Sequence, residues 1–290
     1  LILTFATALY DRLCRNFVAH VRRLRLTHYM ITTFTADYHR TLSQRGERPY
    51  LHPLSMLRSP DGSDAFASND FFRINAARYT VLGSLLRSGV HVFSVDLDVV
   101  LLADPLPYVW AQPQHELLLQ SDARDAVSLN ETSPFLLQGR LHLPRTTASS
   151  RYVNGGVFFA RATERVALLF EATWEMASQD LGTLNEQDCL NRVLASTEVP
   201  WAPLPPALFP NGFVYFRRPL PRPEPQQLPS AAAGGEGAPT AAPTGGAAAP
   251  VLVHCNWING IAAKRFEMRE ALLWADDADV DDAAAALSKY

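Results

Sequence analysis

Two aspartates one residue apart, Asp96 and Asp98, end an apolar stretch that begins at Val92. Side chains alternate between the two faces of a strand, so both carboxylates would point to the same side. Two carboxylates this close repel each other unless a cation lies between them, and Mg²⁺ or Mn²⁺ commonly binds through one or two carboxylates plus a substrate phosphate. The pair therefore predicts a divalent-metal site, against the ordinary alternative that Asp96 begins a turn and Asp98 only faces solvent.

These carboxylates need an apolar strand to hold them, and residues 90–95 have that pattern, directly after a predicted helix at 75–88. Strand and helix patterns alternate along the chain, which predicts an α/β fold with a mostly parallel central sheet and helices on both faces. Ligands of such sheets bind outside the carboxyl ends of the strands, where the aspartates would lie. Residues 42–70 are predicted as loop because of their prolines and glycines. The other predicted strands cover 1–5, 28–34, 117–120 and 157–159, and the other predicted helices cover 9–24, 165–176 and 187–195.

Composition excludes several partners and fold types. The chain has 290 residues, 48% of them hydrophobic, enough for one large α/β domain or two smaller ones. Its formal net charge of −3 gives no global field toward nucleic acid or an anionic membrane, so neither is expected as a partner. Three cysteines without C-x-x-C spacing argue against a zinc ribbon or a disulfide-stapled small domain. The apolar stretches are too short to span a membrane, and because the chain begins with Leu1 rather than Met, we expect a targeting segment upstream.

One segment differs in composition from the rest of the chain. Residues 219–250 consist almost entirely of Pro, Ala, Gly, Ser, Thr and Gln, so they have little to bury and are predicted to be a disordered insertion. A strand pattern resumes directly after them in "VLVHCNW", which contains His254. We therefore expect a single domain over residues 1–290, interrupted by an insertion at 219–250.

The D-x-D triplet after a strand also resembles the first motif of the haloacid-dehalogenase-type phosphohydrolases. In that family Asp96 would be the nucleophile and Asp98 a general acid and base. The family also has a Ser or Thr at a strand end, a lysine, and a late acidic pair at another strand end. Here the only late acidic cluster, at residues 276–282, follows "ALLW" in a helical pattern. This alternative stays open on the triplet alone.

Five segments in order resemble a different family. They are "FRINAARYTVLGSLLRSGVHVFSVDLDVVLLADPLPYV", "YVNGGVFFARAT", "NEQDCLNRVL", "FPNGFVYF" and "VHCNWINGIAAKRFEMRE". Together they look like the nucleotide-diphospho-sugar transferases of glycosyltransferase family 77, and their order is similar to that of family 8 galactosyltransferases, which share the GT-A architecture. The resemblance implies a retaining transferase that uses a UDP-sugar and Mn²⁺ or Mg²⁺. It also implies a cell-wall polysaccharide or glycoprotein acceptor and a place in the Golgi lumen, on a membrane protein whose anchor precedes this chain. A non-catalytic binding protein on the same fold is a further alternative.

The resemblance assigns a metal site and donor contacts residue by residue. Asp96 and Asp98 match the metal ligands of the D-x-D motif, and His254 matches the third ligand. A lone histidine after a strand is more often structural, so that assignment depends on the resemblance. Lys264 would supply positive charge to the leaving diphosphate; its alternative is a solvated helix residue. The positions that match donor contacts, from uridine to sugar, are Phe5, Ala6, Thr7, Arg78, Asp96, Leu97, Asp98, Asn154, Gly155, Asn256, Gly260 and Lys264.

The resemblance places the catalytic groups in "NEQD". Glu186, Gln187 and Asp188 match the acid-Gln-Asp triplet that lies by the anomeric carbon in family 8. Gln187 would stabilise developing positive charge through its amide oxygen, and Asp188 would orient the sugar or attack it. The ordinary alternatives are that the triplet is the first turn of a helix, where acids offset the macrodipole, that "VNGG" is a hairpin turn, and that Arg78 is a surface arginine.

Overall fold

The computed structural model describes residues 1–53, 69–122, 135–137, 140–142, 152–179, 185–217 and 249–276. Within these residues the strands are β1 (Ile2–Ala6), β2 (Tyr29–Thr33), β3 (Pro49–Leu51), β4 (Val92–Val95), β5 (Val99–Leu101), β6 (Leu117–Ser121), β7 (Phe135–Leu137), β8 (Arg140–His142), β9 (Val153–Ala160), β10 (Trp201–Leu204) and β11 (Leu252–His254). The helices are α1 (Asp11–Arg23), α2 (Ala36–Gln44), α3 (Asn69–Arg87), α4 (Leu106–Trp110), α5 (Glu164–Gln179), α6 (Glu186–Ala195), α7 (Gly212–Arg217) and α8 (Ile261–Glu270), with a 3₁₀ turn at Ala8–Tyr10.

Seven strands form the central sheet in the order β10-β6-β9-β4-β1-β2-β3. Every neighbouring pair that excludes β9 is parallel, whereas β9 runs antiparallel to both β4 and β6. Two short antiparallel pairs, β5 with β11 and β7 with β8, lie outside this sheet. The prediction of an α/β fold with a mostly parallel sheet is confirmed.

Both faces of the sheet are covered, which explains why β4 is apolar at consecutive positions. Phe93 and Val95 belong to the core on the side where α1 contributes Phe17, and Val92 belongs to the core on the other side. On that second side Phe170 of α5 packs against strand β9. The strand that carries the two aspartates is thus fixed between two layers of helices.

The prediction of loop over residues 42–70 is wrong in part. Helix α2 continues to Gln44, β3 pairs in parallel with β2, and α3 begins at Asn69, earlier than predicted. Proline lacks an N–H for a ladder hydrogen bond, but Pro49 is tolerated because β3 is the edge strand of the sheet. Of that segment, residues 54–68 lie outside the described part of the chain.

The predicted insertion at 219–250 lies outside the described residues apart from its last two. Its predicted disorder and the single-domain boundary at 1–290 therefore stay predictions. Among the described helices, none has the length and apolar character needed to cross a membrane.

Candidate active site

Asp96, Asp98 and His254 come together at the carboxyl end of β4. Each offers a ligand atom, and these three atoms lie within 4.8 Å of one another. The His254 Nε2 atom is 3.3 Å from Asp98 Oδ1 and 3.8 Å from Asp96 Oδ2. His254 comes close to the aspartates because β11 pairs with β5. In this pairing His254 lies opposite Val99, one residue after Asp98. Carboxylate oxygens and an imidazole nitrogen suit Mn²⁺ and also accept Mg²⁺, so the residues fit a divalent cation.

Lys264 reaches this cluster from the first turns of α8. Its Nζ atom donates to Asp98 Oδ2 and, at 3.0 Å, to the carbonyl oxygen of Cys255. Burial by itself would raise the pKa of the Asp98 carboxyl, but the positive charge and hydrogen bond of Lys264, together with the contact of His254, outweigh it and lower that pKa. Asp98 is therefore ionised near neutral pH. Lys264 is 18% exposed and ion-paired, so the alternative of a solvated helix residue is wrong.

Arg78 connects Asp96 to the helix α6. Its guanidinium donates to Asp96 Oδ1 at 2.8 Å and to Glu186 Oε1 at 2.9 Å, and its side chain is only 3% exposed. The alternative of a surface arginine is wrong. Burial raises the pKa of Glu186, although Arg78 lowers it. The guanidinium thus joins two carboxylates from distant parts of the chain.

Two adjacent glycines of β9 border the cluster and differ in the space beside them. A Cβ atom built on Gly156 would lie 2.3 Å from Asp96 Oδ2 and 2.7 Å from His254 Cε1, which is impossible without displacement. A Cβ atom on Gly155 would have no neighbour closer than 3.6 Å. The sequence prediction included Gly155 but missed Gly156. The pair of adjacent glycines in "NGG" could have indicated that the second glycine is also needed. The "VNGG" segment is strand, so the hairpin alternative is wrong.

Asp122, directly after β6, is the centre of a second group of contacts. Its Oδ1 atom accepts from Asn154 Nδ2 at 3.1 Å and Asn256 Nδ2 at 3.0 Å, and its Oδ2 atom accepts from Gln187 Nε2 at 3.2 Å. Burial raises the pKa of Asp122 to about 6, against the opposite effect of the Asn154 and Gln187 hydrogen bonds. Sequence reasoning missed this residue, although "LLLQSD" repeats the pattern of an apolar strand followed by aspartate.

Gln187 and Asp188 lie in the first turn of α6, and the helix begins with the Asn185 side chain accepting from the Asp188 backbone N–H at 2.7 Å. The "NEQD" triplet is therefore the first turn of a helix, and this is compatible with the predicted position of its side chains near the site. The Gln187 amide oxygen accepts from the Gly155 N–H at 2.9 Å. Asp188 Oδ1 accepts from the Tyr152 hydroxyl at 2.5 Å. The structure links Gln187 to Gly155 of β9 and Asp188 to Tyr152.

Of the remaining predicted donor contacts, three lie at the end of β1, one lies between the two aspartates and one precedes α8. Phe5, Ala6 and Thr7 cover the end of β1, which is parallel to β4 and beside it. Leu97 packs into the core and is 7% exposed, so a donor contact there would use its backbone. Gly260 precedes α8 with φ of 88°, a conformation that favours glycine.

Comparison with known proteins gives three findings. A family model described as nucleotide-diphospho-sugar transferase matches residues 24–268. The chain is 28% identical over 167 residues to UDP-D-xylose:L-fucose alpha-1,3-D-xylosyltransferase 3 of Arabidopsis thaliana; the match covers 54% of this chain and 41% of that protein. A crystal structure of an active-site mutant of LgtC is 14% identical with a TM-score of 0.52, over 94% of this chain and 95% of the other.

The likeness to the LgtC structure shows the fold, which is the GT-A fold expected from the sequence. The chain spans about two fifths of the length of the curated xylosyltransferase that it matches. What that whole protein does is therefore carried to this chain only as a proposal.

Proposed function

Because the chain belongs to the nucleotide-diphospho-sugar transferase family, we propose that it transfers a sugar from a UDP-sugar to a glycan or glycoprotein, with the help of a divalent cation. The observation that supports this best is the convergence of Asp96, Asp98 and His254 beside Lys264 at the carboxyl edge of the sheet. This edge is where ligands of open α/β sheets bind.

In this proposal Asp96, Asp98 and His254 hold Mn²⁺ or Mg²⁺. A bound cation of this kind neutralises charge on the departing diphosphate. Lys264 adds a fixed positive charge, and it is held in place by Asp98 and the Cys255 carbonyl. The lowered pKa of Asp98 keeps its carboxylate ionised for the cation.

The donor would lie across the carboxyl ends of β1, β4 and β9. We assign uridine to Phe5, Ala6 and Thr7, diphosphate contacts to Leu97, Asn256, Gly260 and Lys264, and the sugar to Arg78, Asn154 and Gly155. The name of the Arabidopsis relative makes UDP-xylose the first donor to test. The acceptor class is cell-wall polysaccharide or glycoprotein in the Golgi lumen, proposed from the family resemblance and from that plant relative.

We assign retention of anomeric configuration to a front-face reaction, in which the leaving phosphate takes the proton of the acceptor hydroxyl. Gln187 assists electrostatically through its amide oxygen, which has a second lone pair besides the one used by the Gly155 N–H. An amide is a poor nucleophile, so Gln187 cannot support a covalent path. Asp188 orients the sugar and is itself held by Tyr152.

The phosphohydrolase alternative loses its support. The family match covers most of the chain, and Asp276, the described member of the late acidic cluster, pairs with Arg15 of α1 at 3.1 Å instead of following a strand. The remaining alternative is a non-catalytic binding protein. A measurement of UDP-sugar turnover distinguishes it from a transferase.

The experiment is a panel of UDP-sugars with Mn²⁺, measured as UDP release with and without candidate acceptor glycans. We expect turnover of at least one donor, and loss of turnover in excess chelator. Asp104→Asn is a matched control, because Asp104 is an exposed aspartate of the same segment whose carboxylate caps the Leu106 N–H. Phosphate release from simple phosphomonoesters without any UDP-sugar turnover would contradict the proposal, and binding of UDP without turnover of any donor would support the non-catalytic alternative.

A further inference from the structure

His254 is almost fully buried, at 1% exposure, and each edge of its ring meets a different group. Its Nε2 atom faces Asp98 Oδ1 and Asp96 Oδ2, and its Cε1 atom borders Gly156. The Nδ1 atom lies 2.7 Å from the side-chain oxygen of Gln120, a buried residue of β6. A histidine can ligate a metal through Nε2 only when that nitrogen has a free lone pair.

We infer that Gln120 is a positioning residue that fixes the tautomer and the ring orientation of His254; this rests on the proposed function, in which His254 is a metal ligand. The Gln120 Nε2 atom donates to the carbonyl oxygens of Phe209 at 3.0 Å and Pro210 at 3.1 Å. Those two acceptors require the amide nitrogen on that side, so the amide oxygen faces the histidine.

The consequence for His254 follows from hydrogen-bonding rules. An amide oxygen only accepts, so the Nδ1 atom of His254 carries the hydrogen and donates it to Gln120. In the neutral ring the other nitrogen then has the lone pair, and it points at Asp96 and Asp98. Three lone-pair donors facing one another are stabilised by a cation between them, which agrees with the chemistry of the cluster.

The segment that supports Gln120 has further contacts of its own. The segment that holds its amide nitrogen is tied to β6 a second time, because Asn211 Nδ2 donates to the Ser121 carbonyl at 3.1 Å. The backbone of Asn211 also forms an isolated parallel β-bridge with that of His254. Hydrogen-bond partners that orient a metal-bound histidine are worth about 10- to 100-fold in metal affinity. The contacts therefore place Gln120 in a role that the family motifs do not contain.

The test compares Gln120→Leu with Asn16→Leu. Asn16 is a matched control because it is also a buried side-chain amide whose oxygen and nitrogen are both hydrogen-bonded, to the Ala275 N–H and to Met268, and its described hydrogen bonds involve none of Asp96, Asp98 and His254. We expect Gln120→Leu to raise the Mn²⁺ dissociation constant about 10- to 100-fold, measured by the paramagnetic resonance of free Mn²⁺. Asn16→Leu is expected to lower the melting temperature without changing Mn²⁺ affinity.

A second measurement uses the unaltered chain, in case Gln120→Leu does not fold. Long-range proton–nitrogen NMR of the protein loaded with Mg²⁺, which is diamagnetic, should show hydrogen on Nδ1 of His254 and none on Nε2. Hydrogen on Nε2 would overturn the inference. If the wild-type chain binds Mn²⁺ and folded Gln120→Leu binds it equally well, the role of Gln120 is refuted while the metal site stands; if the wild-type chain binds no Mn²⁺, the metal site itself is refuted.

Discussion

Three carboxylates lie at the carboxyl edge of the sheet, and they divide into a pair and a single residue that are held by opposite kinds of partner. In the first group, Asp96 and Asp98 face the cations of Arg78 and Lys264. In the second group, Asp122 accepts hydrogen bonds from neutral side-chain amides. The pKa of Asp98 is lowered in spite of burial, whereas burial raises that of Asp122 to about 6.

The difference indicates what each group is suited to do. The cation-held pair stays ionised and is arranged around a point where a metal ion fits, so it suits a site for a charged diphosphate. The amide-held carboxylate has little charge compensation, but its hydrogen bonds fix the orientation of Asn154, Gln187 and Asn256 at once. We expect changes at Asp96 and Asp98 to act mainly on the metal and the diphosphate, and changes at Gln187 and Asn154 to act mainly on the geometry of the sugar.

The largest effect is expected for Asp98→Asn, which removes a charged ligand from the cation-held group. Turnover of the UDP-sugar donor in Mn²⁺ should fall by more than the roughly 100-fold that loss of a residue orienting a metal ligand costs. Steady-state UDP release measures this, with Asp104→Asn as the control of unchanged activity. Turnover within a few-fold of wild type would remove Asp98 from the metal site.

Gly156→Ala should disturb the cation-held group through its contacts with Asp96 and His254. The new methyl would collide with Asp96 and His254, so we expect a loss of about 1–3 kcal/mol in the free energy of unfolding together with strongly weakened Mn²⁺ binding. Gly155→Ala is the matched control, because its methyl would meet only ordinary contacts. Denaturant melts measure the free energy of unfolding of both variants, and Mn²⁺ titrations measure their metal affinity. If the two variants have equal stability and equal Mn²⁺ affinity, the close approach at Gly156 has no consequence.

Gln187→Ala should act on the reaction and hardly at all on metal. Removal of one group that stabilises developing charge costs about 2.7–4 kcal/mol, so kcat should fall about 100-fold or more while the donor KM changes little. Single-turnover and steady-state kinetics measure this. A glycosyl adduct on Asp188, detected by mass spectrometry, would contradict the front-face reaction, and an inverted product would contradict retention.

The smallest expected effect is on the pH dependence of the free energy of unfolding, to which Asp122 contributes. Its pKa rises from 3.8 to about 6 on folding, so between these values the native state binds more protons than the unfolded state. The free energy of unfolding should therefore fall as pH rises through this window, relative to Asp122→Asn, which cannot titrate. Denaturant melts of both proteins from pH 4 to pH 7 provide the comparison. Parallel curves would show that Asp122 is not titrating in this range.

The sequence was sufficient for the two aspartates of the cation-held group because their signal is local, whereas Arg78 and Lys264 were assigned from the family resemblance. The D-x-D triplet follows its strand directly, and the spacing of strands and helices indicates the α/β class without knowledge of strand order. The position of His254 depended on the family resemblance. Its physical cause is the antiparallel pairing of β11 with β5, which no local pattern reveals.

The amide-held group could not be predicted in the same way. Asp122 meets Asn154 because β6 lies beside β9, and Gln120 meets His254 of β11 and the carbonyls of Phe209 and Pro210, all distant from it in sequence. The need for glycine at position 156 likewise arises from side chains of β4 and β11 that approach it only in the folded protein. Such roles depend on three-dimensional neighbours, so the apolar strand before Asp122 and the second glycine of "NGG" mark the two positions without indicating their contacts.

The central claim is that Asp96, Asp98 and His254 bind a divalent cation that in turn binds the donor diphosphate. Calorimetric titration of UDP into the protein tests this directly, first with Mn²⁺ and then in excess chelator. We predict that wild-type protein binds UDP at least about tenfold more tightly with Mn²⁺, a difference of about 1.4 kcal/mol, and that Asp98→Asn loses this gain. Equal UDP affinity of the wild-type protein with Mn²⁺ and in chelator would contradict the claim.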